Sequence, residues 1–541
     1  MQNEQIPWWQ SATIYQIYPR SFQDTDGDGV GDLRGIIHRL PYLVALGVDA
    51  LSLSPIFPSP MKDFGYDISN YLDIDPLFGT LNDFDQLLSL AHGQGLRLIL
   101  DFVPNHTSEQ HPWFVESQSS RSSPKRDWYI WRDPAPDGRP PNNWLSEFGG
   151  SAWQFNDATG QYYYHAFLPE QPDLNWRNPD VVKAMHDVMR FWLAKGVDGF
   201  RVDVLWHLLK DEQFRDNPLN PDYVPGRMPP NQQVVPRFTA DLPAVHDVIR
   251  GLRQVIDEYS ERLLIGEIYL PFDRLVAYYG EELMGAHLPF NFSLLDTRWH
   301  ARDVAKLIGD YEAALPKGGW PNWVLGNHDR PRIATRVGFA QAHIAAMLLL
   351  TLRGTPTIYY GDEIGLPQVP IPSDRIRDPF ENNVPGIGVG RDGARTPMQW
   401  STKKFSGFST SKPWLPLSVD WRVRNVQVLD QHKSSIYGLY RRLIQARRHS
   451  QALRRGSYHP VVSDGDLLLY VRACGSERIL VALNLGSEPA RVSVGSTECT
   501  GKVLVSTSGE HDGETTGPSI SLDASEGFVV ALAANTSPPS M

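Results

Sequence analysis

Three carboxylates stand at the ends of short apolar runs: Asp203 closes Gly199-Phe200-Arg201-Val202-Asp203, Glu267 closes Leu263-Leu264-Ile265-Gly266-Glu267, and Asp329 closes Gly326-Asn327-His328-Asp329. Acids placed this way can meet in one pocket only if their strands lie side by side. Such a trio suits cleavage of a glycosidic bond, whose leaving oxygen is poor and whose transition state is oxocarbenium-like. One carboxyl must deliver a proton while another acts as nucleophile or base across the sugar. Asp203 is the candidate nucleophile. Arg201, two residues earlier on the same strand, projects to the same face and can hold that carboxylate ionised and oriented. Glu267 follows a very apolar run, so desolvation can raise its pKa to that of a general acid. Asp329, beside His328, can hold sugar hydroxyls and support ring distortion. A lone strand-end acid is more often a cap or a salt-bridge partner. Three of them, each with an aligned Arg, Gly or His neighbour, point to chemistry instead.

The elements that must position these acids are visible as recurring apolar runs: Ala12–Tyr18, Ala50–Leu53, Leu96–Phe102, Gly199–Val204, Leu263–Ile268, His287–Leu294, Trp323–Gly326 and Thr357–Tyr360. Amphipathic segments such as Val181–Lys195 and Ala244–Glu258 separate most of them, which predicts a parallel sheet with crossover helices. Eight such units form an α/β (β/α)₈ TIM barrel, whose chemistry sits at the C-terminal strand ends; a doubly wound open sheet is the alternative. Residues 105–174 are rich in Trp, Pro, Gly and Ser and too long for a barrel loop, so they read as an inserted subdomain after the third strand. The stretch Leu366–Lys433, dense in Pro, Gly and Arg, reads as an ordered lid beside the pocket. After the helix-like Ser434–His449 the pattern turns to alternating strands, Leu467–Arg472 and Ile479–Leu483, which predicts a C-terminal all-β sandwich. The expected division is therefore barrel 1–104, insert 105–174, barrel 175–455 and sandwich 456–541, with a frayed tail from Asn535.

Composition narrows the partners. A formal charge of −11 argues against nucleic acid and suits a neutral ligand. Two cysteines, Cys474 and Cys499, are too few for a disulfide framework or a cysteine metal site. The run Ile344–Leu352 ends at Arg353 and reads as a buried helix rather than a membrane span. No secretory signal is visible at Met1–Gln5, so a soluble cytoplasmic protein, monomer or homodimer, is the expectation.

Taken together, these segments resemble the α-amylase family, glycoside hydrolase family 13, over essentially the whole chain. Asp101-Phe102-Val103-Pro104-Asn105-His106 is similar to that family's first signature region, Gly199–Val204 to the second, Gly266-Glu267-Ile268 to the third and Asn327-His328-Asp329 to the fourth. Gln171–Trp176 is similar to the extra region that closes the insert. The resemblance implies Asp203 as nucleophile, Glu267 as acid/base and Asp329 as transition-state stabiliser, with His106, Arg201 and His328 binding the reacting sugar. It also implies retaining double displacement, with the reacting carboxyls roughly 5–5.5 Å apart. The nearer likeness is to α-glucosidases and oligo-1,6-glucosidases, carried by Phe64-Gly65-Tyr66-Asp67 and Gly393–Trp400. There Tyr66 would stack on the terminal glucose, unless it is simply a packed loop aromatic. Asp67 would bind its hydroxyls, and Arg395 would complete a pocket closed at one end, giving exo action. Phe148 and Phe167 in the insert are further ring-stacking candidates.

The implied activity is release of α-glucose from the non-reducing end of short α-1,4- or α-1,6-glucosides, with some transfer. Val204 bears on linkage, but one methyl-scale contact is worth only about 1–3 kcal/mol. A sucrose or trehalose isomerase or transglucosidase uses the same glycosyl-enzyme, and the loops around Leu270–Asp273, Arg330–Arg332 and Leu366–Asp392 would decide between them. A non-catalytic sugar-binding or transporter-accessory protein is a third reading, set against the retained acids and the missing anchor. No organic cofactor is expected. One structural divalent cation is, because Asp24, Asp26, Asp28, the Val30 carbonyl and Asp32 place oxygens as in the first nine positions of an EF-hand loop. Gly35 stands where a sensor loop has Glu. The resemblance gives Ca²⁺ as first choice and Mg²⁺ as second, with a solvated acidic turn as the alternative.

Overall fold

The computed structural model describes residues 6–493 and 500–533; Cys499, the N-terminal Met1–Gln5 and the tail from Asn535 lie outside them. Eight parallel strands make up the central sheet: β1 (Ile14–Ile17), β2 (Ala50–Leu53), β3 (Arg97–Phe102), β4 (Gly199–Val202), β5 (Leu263–Gly266), β6 (Leu288–Pro289), β7 (Asn322–Val324) and β8 (Thr355–Tyr359). They pair in the order β7-β8-β1-β2-β3-β4-β5-β6. A single parallel bridge from Asn291 to Trp323 brings the two ends together, so the sheet is a nearly closed TIM barrel. The sixth strand is much shorter than the run His287–Leu294 suggests. Pro289 has no N–H to continue a ladder, and the chain turns at Phe292 into a short helix, Ser293–Asp296.

Side-chain alternation explains how the barrel carries a charged mouth on a greasy floor. Ile14, Ala50, Ile99, Leu263, Ile265, Leu288 and Val324 share one buried cluster inside the barrel. Their neighbours Tyr15, Leu51, Leu98, Leu100, Phe200 and Leu264 pack outward into the main core against the helices. Because strand side chains repeat every two residues, the step inward from Ile99 is Asp101, from Gly199 it is Arg201 and then Asp203, and from Ile265 it is Glu267. Gly199 is required at that layer, since a Cβ there would sit 2.2 Å from the Leu263 carbonyl oxygen.

The crossover helices follow local rules. The helix Pro179–Lys195 starts at Asn178, whose side chain accepts from Asp180 N, with proline in the first turn, and ends at Gly196 with φ +108°. Val181, Met185, Val188, Met189 and Trp192 form its buried stripe. Phe339–Thr351 is buried along most of its length, as expected of the greasy run near Ile344. Among the described residues, no helix is long and apolar enough to cross a membrane.

Between β3 and β4 the chain forms the helix Pro112–Ser117 and a three-stranded antiparallel sheet of Trp131–Arg132, Gln161–Tyr164 and Trp153–Asn156. A bridge between His106 and Asp173 closes the neck of this insert. The C-terminal region is a six-stranded antiparallel sheet faced by the pair Ala490–Ser493 and Ser519–Leu522. Leu469, Val471, Leu480, Ile520 and Val530 fill the space between the two layers. The opposite face, with Leu468, Tyr470 and Val481, joins the core of the barrel.

Candidate active site

One guanidinium organises the barrel mouth. Arg201, 3% exposed at its side chain, donates to both oxygens of Asp101 at 2.7 and 2.9 Å and to Asp203 at 2.8 Å. Its other terminal nitrogen lies 2.8 Å from Glu267 Oε2. The nucleophile candidate and the acid/base candidate are thus held by the two prongs of the same fork, and Asp101, quoted only as a motif residue in the sequence, is its third partner. Burial, then the charge of Glu267, push the Asp203 pKa well above the usual carboxylate range, with Arg201 opposing them. This differs from the expectation that Arg201 keeps Asp203 ionised. Three carboxyls crowd one cation, and Arg201 opposes the upward push on Asp203 without cancelling it. Burial likewise raises Asp101 to about 6 against the pull of Arg201.

Backbone geometry fixes Glu267 as well. Val204, immediately after Asp203, sits in the left-handed region at φ +38°, ψ 48°. A β-branched residue adopts that conformation at a cost, and here its N–H donates to Glu267 Oε2 at 3.0 Å.

Asp329 is the most accessible of the three acids, its side chain 24% exposed. It accepts from Arg395 at 2.9 Å, and Arg391 and His328 lie 3.4 and 3.2 Å away. Although burial pushes upward, the neighbouring His328 and the guanidinium charges of Arg391 and Arg395 hold its pKa below the ordinary range. His328 itself is pushed down to about 3 by burial, and its ring lies nearly parallel to Tyr66 at 5.3 Å and Tyr18 at 5.8 Å. Tyr66 is locked by its hydroxyl, which donates to Asp101 at 2.9 Å and meets His328 Nε2 at 2.7 Å. His106, pushed down to about 4 by burial, contacts the Tyr66 carbonyl and Gln171.

The roles expected of Asp67, binding the sugar's hydroxyls, and of Arg395, closing the pocket, fall to neighbouring residues instead. Asp67 is fully buried, and its oxygens accept from Ser59 Oγ, Lys62 N and Asp63 N at 2.8–3.0 Å, bracing the loop after β2. Arg395 serves the neighbouring acid: Nε donates to the His328 carbonyl and a terminal nitrogen to Asp329. The Asp–Arg pair at this end is Asp63 with Arg391, at 2.7 Å, and Arg391 also donates to Asp378 at 2.7 and 3.0 Å. Arg391 lies 4.7 Å from the Phe148 ring centre, and Phe148 contacts Phe167 and Phe380. The insert and the 366–433 loop therefore meet over the carboxylates. Sequence reasoning did not single out Asp63, Asp378, Phe380 or Arg391; the signals were that Asp63 directly precedes the Phe64–Asp67 motif and that the other three lie in the Leu366–Asp392 loop.

Residues 16–456 match the family described as "Alpha amylase, catalytic domain". The chain belongs to the α-amylase family of glycoside hydrolases. A probable α-glucosidase of Rhizobium meliloti (strain 1021) is 44% identical over 499 residues, 89% of this chain and 90% of that one. An oligo-1,6-glucosidase of Heyndrickxia coagulans is 38% identical over 521 residues, 88% of this chain and 92% of that one. The solved structure of an α-glucosyl transfer enzyme, XgtA, superposes with a TM-score of 0.91 at 40% identity, covering 97% of this chain and all of that one.

This family member also gathers acids after β1. Asp24, Asp26 and Asp28 bring carboxylate oxygens within 4.8 Å of one another. Gly27 and Gly29, at φ +84° and +94°, make the tight loop possible, and Val30 donates its N–H to Asp28 at 2.7 Å. Burial and the charges of Asp26 and Asp24 raise the Asp28 pKa, a repulsion that a hard divalent cation would relieve. Asp32 falls outside this cluster. Its carboxylate caps the helix Leu33–Leu46 through Gly35 N and accepts from Thr25.

Proposed function

We propose that the chain is a retaining, exo-acting α-glucosidase that releases α-glucose from the non-reducing end of short α-1,4- or α-1,6-glucosides. The observation that carries this reading is the shared Arg201 fork, which presents Asp203 and Glu267 together while Arg391 and Arg395 pair with Asp329. When a glucosyl unit enters, Glu267 donates a proton to the glycosidic oxygen, and Asp203 attacks the anomeric carbon. Glu267, now ionised, removes a proton from water, which attacks the glucosyl-Asp203 ester and restores the starting state. Asp329 takes the ring hydroxyls, and neutral His106 and His328 offer uncharged hydrogen bonds. The Asp63–Arg391–Asp378 bridge closes the far end, which restricts attack to terminal units.

A second reading, transfer of the glucosyl unit to a sugar or alcohol, is favoured by the likeness to a glucosyl transfer enzyme. Incubation with maltose, isomaltose, sucrose and trehalose, with products followed by NMR, tests both. α-Glucose as the first-formed anomer supports the proposal, new disaccharides measure transfer, and β-glucose as the first product would sink the retaining mechanism.

The same proposal gives Asp24, Asp26, Asp28 and the Val30 carbonyl a structural divalent ion, Ca²⁺ before Mg²⁺, remote from the chemistry. It keeps the division 1–104, 105–174, 175–455 and 456–541. A cytoplasmic location is supported by the scarcity of cysteine.

A further inference from the structure

The neck of the insert holds a chain of buried groups whose hydrogen bonds all run one way. Lys210, on the loop after β4, pairs with Asp173 and donates to Asn105 Oδ1 at 2.8 Å and to the His207 carbonyl at 2.6 Å. The Asn105 amide nitrogen lies 2.9 Å from Asp173 Oδ2 and 3.2 Å from His106 Nδ1. His106 Nε2 in turn lies 3.2 Å from the Tyr66 carbonyl. Lys210, Asn105, His106 and Tyr66 are each at most 5% exposed, so these partners decide where each hydrogen sits.

Donor and acceptor chemistry settles the order. An ammonium only donates, so the Asn105 atom that meets Lys210 is the carboxamide oxygen. Its amino group must then face Asp173, whose carboxylate only accepts, and His106 Nδ1. A ring nitrogen facing an amide donor is satisfied only if it carries no hydrogen of its own. The hydrogen of the neutral imidazole is therefore on Nε2, where the Tyr66 carbonyl accepts it. One contact favours the opposite tautomer. Gln171, whose oxygen accepts from Leu168 N at 3.1 Å, turns its amino group to His106 Nε2 at 3.1 Å. It is outweighed, because that tautomer sets Nδ1–H against the Asn105 amino group and a bare Nε2 against the Tyr66 carbonyl. The Gln171 amino group also has Asp63 Oδ2 as an acceptor, at 3.4 Å.

We propose that Asn105, clamped by Lys210 and Asp173, is a positioning residue that holds His106 as the neutral Nε2–H tautomer, so that the pocket offers the sugar an uncharged donor. This rests on the reading of His106 as a sugar-binding residue of an α-glucosidase. At 3.2 Å the bond to the Tyr66 carbonyl is at the long end for N–H···O, and the same hydrogen can be shared with a sugar oxygen. Neutrality matters because positive charge develops on the sugar ring in the transition state, and an imidazolium beside it would oppose that charge. The charged and titratable groups facing the ring are Asp173 and Lys210, with His207 beyond and Asp63 behind Gln171. Asp173 by itself favours an imidazolium; the Asn105 amino group aimed at Nδ1 denies that form its second acceptor.

Neutron diffraction from deuterated crystals of the ligand-free protein at pH 5 and pH 8 tests this. The wild type should carry one deuterium on the His106 ring nitrogens, at Nε2, at both pH values. Asn105→Asp keeps the shape and the Lys210 contact but presents an acceptor to Nδ1. It should place a deuterium on Nδ1 and lower kcat/KM for a neutral disaccharide at least tenfold. A deuterium on Nδ1 of the wild type overturns the tautomer assignment, and that map needs no variant to fold. A bare Nδ1 in Asn105→Asp, or wild-type kcat/KM once its tautomer has changed, overturns the role given to Asn105. The hydrogen positions are read without substrate, so they stand apart from the product analysis that decides the glucosidase reading.

Discussion

Replacing Arg201 with glutamine tests whether a single cation holds the site together. In the native protein that side chain makes hydrogen bonds of 2.7–2.9 Å to Asp101 and Asp203 and an ion pair of 2.8 Å with Glu267. Removing one partner of a buried pair costs about 3–5 kcal/mol, because the remaining charge stays out of water. Carboxyls can escape that cost by taking up protons, so the loss must depend on pH. The sign follows from linkage. Asp101, raised to about 6, and Asp203, raised above the ordinary range, are protonated in both folded and unfolded chains at pH below about 4. Their contribution to stability is intact there and is lost as pH climbs through the folded-state pKa values. Arg201→Gln raises those values further and steepens the decline. The melting temperature of the variant should lie on the order of 3–5 °C below wild type at pH 8, with a much smaller gap at pH 5. A scan of both proteins from pH 5 to pH 8 by fluorescence or calorimetry reads this directly. An equal gap at both ends, or none at pH 8, would refute the reasoning that one guanidinium neutralises a shared carboxylate cluster.

Asp203→Asn should lower kcat by about 10⁴-fold or more while leaving the melting temperature unchanged or slightly higher, and activity above about 1% of wild type places the nucleophile elsewhere. Arg391→Ala should lower kcat/KM for disaccharides on the order of 100-fold, the scale of a lost charge-assisted hydrogen bond network. Asp67→Asn should mainly lower the melting temperature, and equal kinetic damage from both would contradict the assignment of the closing pair to Asp63 and Arg391. Chelation by EDTA should lower the melting temperature of the wild type and not that of Asp26→Ala; identical responses argue against an ion among Asp24, Asp26 and Asp28. At position 204, glycine should give a protein more stable than alanine by about 1 kcal/mol, because only glycine takes the left-handed backbone freely; the reverse order in unfolding measurements would remove the strain argument.

The barrel and two of its acids, Asp203 and Glu267, were legible because one rule governs both, whereas Asp329 lies beyond β7 and out of step with its inward Val324, and only the Asn327-His328-Asp329 motif marked it. Inward positions on β3, β4 and β5 recur every second residue, so an apolar floor residue is followed in step by Asp101, Arg201 or Glu267. Reading the run also reads which side chains will meet. The pocket's closing pair was not legible for a reason of the same kind: it lies off the strands. Asp63 and Asp67 flank the same tyrosine, and Arg391 and Arg395 flank the same three-residue turn, so residue type favours neither choice. Local backbone decides. Phe64 at φ +50° and Gly65 at φ +109° fold the loop back on itself, which directs Asp67 to the amides of Lys62 and Asp63 and leaves Asp63 for Arg391. The turn at Asp392–Ala394 separates the two arginines in the same way, one reaching across to Asp63 and Asp378 and the other sinking behind Asp329. Periodicity therefore reveals what a barrel strand will present. What a loop presents depends on a few left-handed residues, and a phenylalanine at φ +50° announces nothing in its letter.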